Sequence, residues 1–219
     1  MLEAVIFDMD GVLIDSEPFH LEVNKELFKQ VGITFSEEEY THFIGVSNKE
    51  MFAILKEKYK LTQSVEELSQ MQLVGFLEYL EKEKHIQKPI PGVPELLADI
   101  KKAGLKTAVA SSSDMRNIEA VLKILDIKKY FNALVSGVNV KKGKPAPDIF
   151  IETAKQLGVN PENCMVIEDA MHGVQAAKAA GMKCLGYVNH NSCNQDLTKA
   201  DAVAEDFKKV NVLFLKSLF

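Results

Sequence analysis

Short apolar runs that alternate with longer helical patterns constrain the fold of this chain more than any other feature. Six runs have the length and apolar character of strands, at residues 4–7, 107–110, 133–135, 165–167, 184–188 and 202–204. Helical patterns lie at residues 93–103, 114–125, 147–157 and 173–180. Strands that alternate with helices in this way predict a parallel sheet covered on both faces, a doubly wound, Rossmann-like α/β core.

One block interrupts this alternation. Between residues 16 and 88 the sequence has no convincing strand pattern, only helical pattern with three Ser-x-x-Glu capping boxes that begin at Ser36, Ser47 and Ser64. The block ends in the proline-rich stretch QKPIPGVP at residues 87–94. We therefore predict an all-helical cap domain at 16–88, inserted into a catalytic core formed by residues 1–15 and 89–219.

Composition and charge exclude several classes of protein. The 219 residues carry a formal net charge of −5, which argues against nucleic acid or an anionic membrane as the main partner. The three cysteines, Cys164, Cys184 and Cys193, have no spacing typical of a disulfide framework or a zinc site. No apolar run approaches the ~18 residues of a membrane span, so we expect a cytoplasmic protein without a signal peptide.

The polar residues that follow the strands are the candidates for chemistry, because ligands of open parallel sheets bind beyond the carboxyl ends of the strands. These residues are acids, hydroxyls and one lysine: Asp8, Asp10, Ser111, Ser112, Ser113, Lys144, Glu168 and Asp169. Acids that share one edge repel each other unless a cation joins them, and oxygen ligands without His or Cys favour Mg²⁺. A lysine and hydroxyls beside such an ion suit a phosphoryl group.

Four motifs in order give the chain a specific resemblance. The segments DMDGVLIDSE, ASSS, GKPAPDIF and VIEDA resemble the four motifs of the haloacid dehalogenase-like superfamily of phosphotransferases. The helical insertion after the first strand resembles the C1 cap of the branch that contains β-phosphoglucomutase and sugar-phosphate phosphatases. A lone DxD would be weak evidence, but four motifs at the family's spacing extend over the whole core.

The resemblance implies a role for each motif residue. Asp8 would be the nucleophile that forms an aspartyl-phosphate, and Asp10 would be the general acid and base. Mg²⁺ would be held by Asp8, the backbone carbonyl of Asp10 and Asp169, with Glu168 nearby. The transferring phosphoryl group would be bound by Ser111 and Lys144. Asp8 would have to be ionised and Asp10 protonated at the start, so unequal environments are expected for these two acids.

The cap supplies the candidate substrate contacts. In the mutase branch, a histidine that matches His20 lies near the active site, although an ordinary half-buried histidine is the alternative. The stretch GVSNKE makes Gly45, Ser47 and Lys49 candidates, and Ser112 is a further one in the core. Mutase-like relatives are expected to have a lysine and an arginine where this chain has Ile44 and Asn48, which weakens capture of a second phosphate.

Asp15 and Ser16, just after the first motif, are expected to be hinge and helix-cap residues. The predicted function is that of a Mg²⁺-dependent phosphatase of small phosphorylated metabolites such as sugar phosphates, as a monomer or weak homo-oligomer. The main alternative is a β-phosphoglucomutase-like phosphosugar isomerase. A signalling receiver domain also uses acids, a hydroxyl and Lys-Pro, but it has no use for an insertion of this length. A binding module on the same scaffold is disfavoured by the intact acid pair.

Overall fold

The core is a six-stranded sheet in which every pair of neighbouring strands is parallel. The computed structural model describes residues 1–34, 36, 39, 40, 42, 43, 46–192 and 195–219. The strands are β1 (Ala4–Phe7), β2 (Lys106–Ser111), β3 (Ala133–Ser136), β4 (Cys164–Glu168), β5 (Lys183–Tyr187) and β6 (Ala202–Ala204), in the spatial order β3-β2-β1-β4-β5-β6. The predicted doubly wound α/β core is confirmed, with each strand within one residue of its predicted bounds.

The strand register brings the motif residues to one edge of the sheet. Phe7, the last residue of β1, lies opposite Val109 of β2 and Ile167 of β4. Because all three strands run in the same direction, the residues that follow them leave the sheet side by side. Asp8 and Asp169 are therefore neighbours in space, although 160 residues separate them in the chain.

Helices cover both faces of the sheet, as the alternation predicts. In chain order the helices are α1 (Glu17–Gln30), α2 (Asn48–Tyr59), α3 (Val65–Lys82), α4 (Val93–Lys102), α5 (Met115–Ile124), α6 (Asp148–Leu157), α7 (Met171–Ala179) and α8 (Val212–Ser217). One apolar cluster joins α4, α5 and α8 to one face, and a second joins α6 and α7 to the other. These two buried layers hold the strand ends in place.

The inserted segment forms helices α1 to α3 and, among its described residues, contains no strand. It has an apolar cluster of its own, which includes Leu27, Phe52 and Leu55. The capping box predicted at Ser64 is complete, because Ser64 Oγ accepts from the Glu67 N–H and the Glu67 carboxylate accepts from the Ser64 N–H. Ser47 also caps α2 through the Glu50 N–H. The all-helical cap of the predicted fold is thus confirmed.

Three helix starts differ from the prediction. Helix α5 begins at Met115, one residue after the predicted start. Helix α6 begins at Asp148, and Pro147 occupies the position before it rather than its first turn. Helix α7 begins at Met171, two residues before the predicted start, so Gly173 lies within its first turn.

The described residues include two of the three cysteines. Cys164 and Cys184 are buried free thiols, whereas Cys193 lies outside the described residues. None of the helices in the described part of the chain combines the length and apolar character that crossing a membrane requires.

Candidate active site

Lys144 joins the first and fourth motifs through buried ion pairs. Its Nζ donates to Asp8 Oδ1 and to Glu168 Oε1, each at 2.6 Å, and to the carbonyl oxygen of Ala110 at 3.3 Å. The side chains of Lys144, Asp8 and Glu168 are 5%, 9% and 1% exposed. All three donors of the ammonium group are thus used, and Lys144 is held in one place at the edge of the sheet.

Three carboxylates meet beside this lysine. One oxygen from each of Asp8, Glu168 and Asp169 lies within 4.8 Å of the others, and all three residues are buried. Ser192 donates a short hydrogen bond to Asp169 Oδ2. Three ionised carboxylates would face a single ammonium, so the cluster would carry a net charge of −2. An all-oxygen cluster with this excess charge fits a hard divalent cation such as Mg²⁺.

Burial and charge act in opposite directions on Asp8 and Lys144. Burial raises the pKa of Asp8 to about 8, although the nearby Lys144 ammonium acts to lower it. Burial alone would lower the pKa of Lys144, but the charges of Asp8 and Glu168 outweigh it and raise that pKa. The pKa of Asp169 is also raised, by burial and by the charges of Glu168 and Asp8. A cation among these acids would therefore displace bound protons.

Asp10 has a different environment, rich in hydrogen-bond donors. Ser16 Oγ donates to its Oδ1 at 2.6 Å, and His20 Nε2 lies 3.1 Å from the same oxygen. Its other oxygen, Oδ2, accepts from Ser113 Oγ at 2.9 Å and from Ser111 Oγ at 3.2 Å. Both oxygens of the Asp10 carboxylate are therefore engaged by hydrogen-bonding groups.

These hydrogen bonds determine the ionisation of Asp10. Burial alone would raise its pKa, but the hydrogen bonds from His20, Ser16 and Ser113 outweigh burial and lower the pKa to about 2. The environments of Asp8 and Asp10 are therefore unequal, as the resemblance implies. The resemblance implies an ionised Asp8 and a protonated Asp10. In this arrangement Asp10 instead has the lower pKa and is the acid that ionises more readily.

His20 connects Asp10 to the cap. Its ring stacks on Phe76 of α3 at a centroid distance of 4.3 Å, and its Nδ1 lies 3.3 Å from Nε2 of Gln72. Burial alone would lower the pKa of His20, but the hydrogen bond and charge of Asp10 raise it. His20 thus lies between the carboxylate of Asp10 in the core and the amide of Gln72 in the cap.

Two cavities adjoin this site. The first cavity, of about 70 Å³, is lined by residues of α1 and α2, by Lys144 and by four core acids, Asp8, Asp10, Glu168 and Asp169. His20 of α1 is one of its lining residues. The second, of about 360 Å³, lies between the cap helices and the start of α5. Asn48 and Ser112 line both cavities, so the two are neighbours. Arg116, the only arginine of the chain, lines the second cavity and pairs with Asp114 at 2.9 Å.

The structure brings most of the predicted substrate residues to these cavities. His20 lines the first, Ser47 and Lys49 line the second, and Ser112 lines both. Gly45 and its neighbour Ile44 lie outside the described residues. Ser111, predicted to bind the phosphoryl group, is fully buried and donates to Asp10 instead of lining the first cavity with Ser112 and Ser113.

Other residues of the site were missed from the sequence or given a different role. Ser16 is the N-cap residue of α1, as expected, but its hydroxyl makes no cap hydrogen bond and donates to Asp10 instead. Glu17, in the first turn of α1, lines the first cavity, and burial raises its pKa to about 7. Ser113 is among the candidates that follow the second strand, but the sequence assigns it no role. Gln72 carries no sequence signal, because it meets the site only through long-range packing.

Known proteins resemble this chain over most of its length. The family model described as haloacid dehalogenase-like hydrolase matches residues 5–187. A relative from Thermotoga maritima named phosphorylated carbohydrates phosphatase is 36% identical over 209 residues, which cover 93% of each chain. The β-phosphoglucomutase of Bacillus subtilis is 34% identical over 191 residues, which cover 84% of this chain and 83% of that protein.

A solved structure extends the likeness to the whole fold. The crystal structure of CbbY from Rhodobacter sphaeroides in complex with phosphate superposes with a TM-score of 0.90. The match covers 99% of this chain and all of that chain, at 26% sequence identity. Both the parallel core and the helical cap are therefore shared with that protein.

Proposed function

Since the chain belongs to the haloacid dehalogenase-like hydrolases, we propose that it is a Mg²⁺-dependent phosphatase of small sugar phosphates that works through an aspartyl-phosphate on Asp8. The observation that carries this proposal is the position of Asp8, which Lys144 holds beside two further acids at the edge of a cavity. The 36% identical relative that is named a carbohydrate phosphatase supports the substrate class.

Asp8 is placed to attack phosphorus. Lys144 Nζ donates to Oδ1 of Asp8, and no donor from the described part of the chain bonds to Oδ2. In the proposed first step, Oδ2 forms a bond to phosphorus while the bond to the leaving oxygen breaks. Lys144 then stabilises charge on the phosphoryl oxygens from its fixed position.

Asp10 is placed to handle protons on the leaving-group side. In the proposed reaction it gives a proton to the leaving oxygen, and it then removes one from the water that hydrolyses the phosphoenzyme. Its four hydrogen bonds favour the ionised form. Asp10 must therefore release some of these donors and take up a proton before it can act as the acid.

The acids around the nucleophile are the residues that would hold the metal. Asp8 and Asp169 would hold Mg²⁺ with Glu168 nearby, and the backbone carbonyl of Asp10 is a further candidate ligand. When bound, the ion would neutralise charge on the phosphoryl oxygens. The chain's own contribution is to keep these acids buried and in place, through Lys144 and Ser192.

The helical insertion would serve as a cap over the reaction. We take residues 16–88 as this cap and residues 1–15 and 89–219 as the core, a division supported by the separate apolar cluster of the inserted helices. Both cavities lie between these units, which suits a substrate that the cap shields from bulk water during transfer.

A phosphosugar mutase is the second candidate, favoured by the 34% identical β-phosphoglucomutase and by the position of His20. A mutase must bind a second phosphate, which calls for further positive charge. Lys144 is the only Lys or Arg among the described residues that line the first cavity. Asn48, where the mutases are expected to have arginine, donates to Gln72. Hydrolysis is therefore the function that the site supports best.

Phosphate release from a panel of sugar phosphates and nucleotides tests the proposal. We expect turnover of sugar phosphates with Mg²⁺, none with Asp8→Asn, and weaker metal binding and turnover with Asp169→Ala. Full turnover in excess EDTA would contradict the metal assignment. Phosphorus NMR with β-glucose 1-phosphate and a bisphosphate primer separates the two candidates, because a mutase forms glucose 6-phosphate whereas a phosphatase releases inorganic phosphate.

A further inference from the structure

The buried amide of Gln72 contacts His20 on the edge of the ring opposite Asp10. Gln72 lies on α3, 52 residues from His20, and is 1% exposed. Its Nε2 is 3.3 Å from His20 Nδ1, while His20 Nε2 is 3.1 Å from Asp10 Oδ1. The imidazole therefore bridges an amide of the cap and a carboxylate of the core.

The chemistry of the amide determines which ring nitrogen holds the proton. The NH₂ group of glutamine can only donate, so His20 Nδ1 must accept and is bare. A neutral ring then has its proton on Nε2, where it is donated to Asp10. The opposite tautomer would direct the Nε2 lone pair at a carboxylate oxygen, which is repulsive, and would leave the Nδ1 proton facing the hydrogens of the amide.

Asn48 sets the orientation of the Gln72 amide. Asn48 Nδ2 donates to Gln72 Oε1 at 2.7 Å, which engages the carbonyl end of the amide and directs its NH₂ end to His20. Phe76 stacks on the ring of His20, with 11° between the planes, and so maintains the plane in which both edge contacts are made. Packing fixes the orientation of the His20 ring, and the hydrogen bonds favour one of its two tautomers.

We propose that Gln72, oriented by Asn48, is a positioning residue that holds His20 in the tautomer with the proton on Nε2, directed at Asp10. Asn48 lines both cavities, so this network extends from the substrate region to the acid of the reaction. The consequence for catalysis rests on the proposed function, in which Asp10 transfers protons to and from the leaving group and water. The tautomer itself does not depend on that function.

Nitrogen NMR of the whole protein labelled with ¹⁵N-histidine tests the proposal directly. The chain has five histidines, and the loss of one set of signals in His20→Asn assigns His20. In substrate-free protein, at a pH where the imidazoles are neutral, we expect a bare Nδ1 and a protonated Nε2. A proton on Nδ1, or equal amounts of both tautomers, in the wild-type protein would overturn the proposal without any substitution at position 72.

Two substitutions test the contributions of the amides. Gln72→Met keeps the volume but removes the donor, so the second tautomer of His20 should appear. Asn48→Asp can only accept, so the Gln72 amide should turn around and present its carbonyl oxygen to Nδ1, which should then carry a proton. The exposed Gln156, on the distant helix α6, provides Gln156→Met as a matched control, which should keep the wild-type tautomer. An unchanged His20 spectrum in both test variants would contradict the proposal.

Kinetics add a measurement that a purely structural role would not affect. In Gln72→Met, kcat for an alkyl phosphate should fall by up to about 10-fold, less than the 10²–10⁴-fold expected from losing the general acid itself. KM for p-nitrophenyl phosphate and the rate at which it phosphorylates Asp8, a step in which the leaving group needs little protonation, should change less than twofold. Equal losses in the phosphorylation step with both esters would contradict positioning through His20. An Nε2 proton in a protein without phosphatase activity would count against the proposed function and leave the tautomer assignment intact.

Discussion

Gly173 provides the space that the carboxylate of Glu168 occupies. A Cβ built at position 173 would overlap the carboxylate carbon and both oxygens of Glu168. Glu168 cannot move aside easily, because it is 1% exposed and is bonded to Lys144 and to the N–H of Ala170. The glycine in the first turn of α7 is thus explained by an acid of the site rather than by its backbone angles.

Gly173→Ala should therefore destabilise the protein although alanine is the better helix former. Overpacking of this kind costs about 1–3 kcal/mol, and it should displace Glu168 and lower Mg²⁺ affinity as well. Urea unfolding and metal titration measure the two effects. Gly75→Ala, within α3, is the matched control, because its Cβ would meet only one atom within 4 Å, a methyl carbon of Val23 at 3.1 Å. Equal stability of the two variants would refute this explanation of Gly173.

Lys144→Met should strongly destabilise the protein, because it leaves the carboxylates of Asp8 and Glu168 without their ammonium. Removing one partner of a buried ion pair costs about 3–5 kcal/mol. Adding Glu168→Gln should recover part of this loss, since it removes one of the unpaired charges, but should not restore turnover. Chemical denaturation of the three variants, including Glu168→Gln alone, measures the coupling. Purely additive effects would show that the two side chains do not form the pair described.

Magnesium binding should release protons near neutral pH. Burial raises the pKa of Asp8 to about 8, so metal-free Asp8 is mostly protonated at pH 7, and burial raises the pKa of Asp169 as well. A rise in pH removes the proton of Asp8, and Mg²⁺ affinity should therefore increase between pH 6 and about pH 8 and then level off. Calorimetry in buffers of different ionisation enthalpy counts the protons released. Affinity that is constant over this range would place the pKa of Asp8 below it.

Asp10→Asn should separate the two chemical steps. The substitution leaves Asp8 and its acid neighbours in place, so an activated ester such as p-nitrophenyl phosphate should still phosphorylate Asp8. Hydrolysis of the phosphoenzyme should slow on the order of 10²–10⁴-fold, because no base activates water. The variant should then accumulate phosphoenzyme, which rapid quench and mass spectrometry of the Asp8 peptide detect.

The matching control is Asp8→Asn, which should not become labelled at all. Label on Asp10 in any variant would mean that the roles of the two acids are reversed. Turnover of Asp8→Asn without any label would instead indicate direct attack by water on the substrate.

The residue pattern alone predicts the sheet, the cap and the sheet edge that carries the candidate site residues. Continuous apolar runs are the direct signature of strands buried on both faces, and parallel strands carry their following residues to a common edge. The positions of Asp8, Lys144, Glu168 and Asp169 followed from these two facts, and the four motifs in order indicated the family.

The hydrogen bonds and ionisation of the acids depend on tertiary packing. The ionisation of Asp10 depends on Ser16, His20, Ser111 and Ser113, which lie 6 to 103 residues away in the chain. No local pattern encodes which hydroxyl of three consecutive serines turns toward an acid, or that a cap glutamine meets His20. Hydrogen-bond geometry and burial arise from packing between distant segments, and together they set the pKa of a buried acid. The spacing of Asp8 and Asp10 in the sequence therefore does not reveal which of the two has the lower pKa.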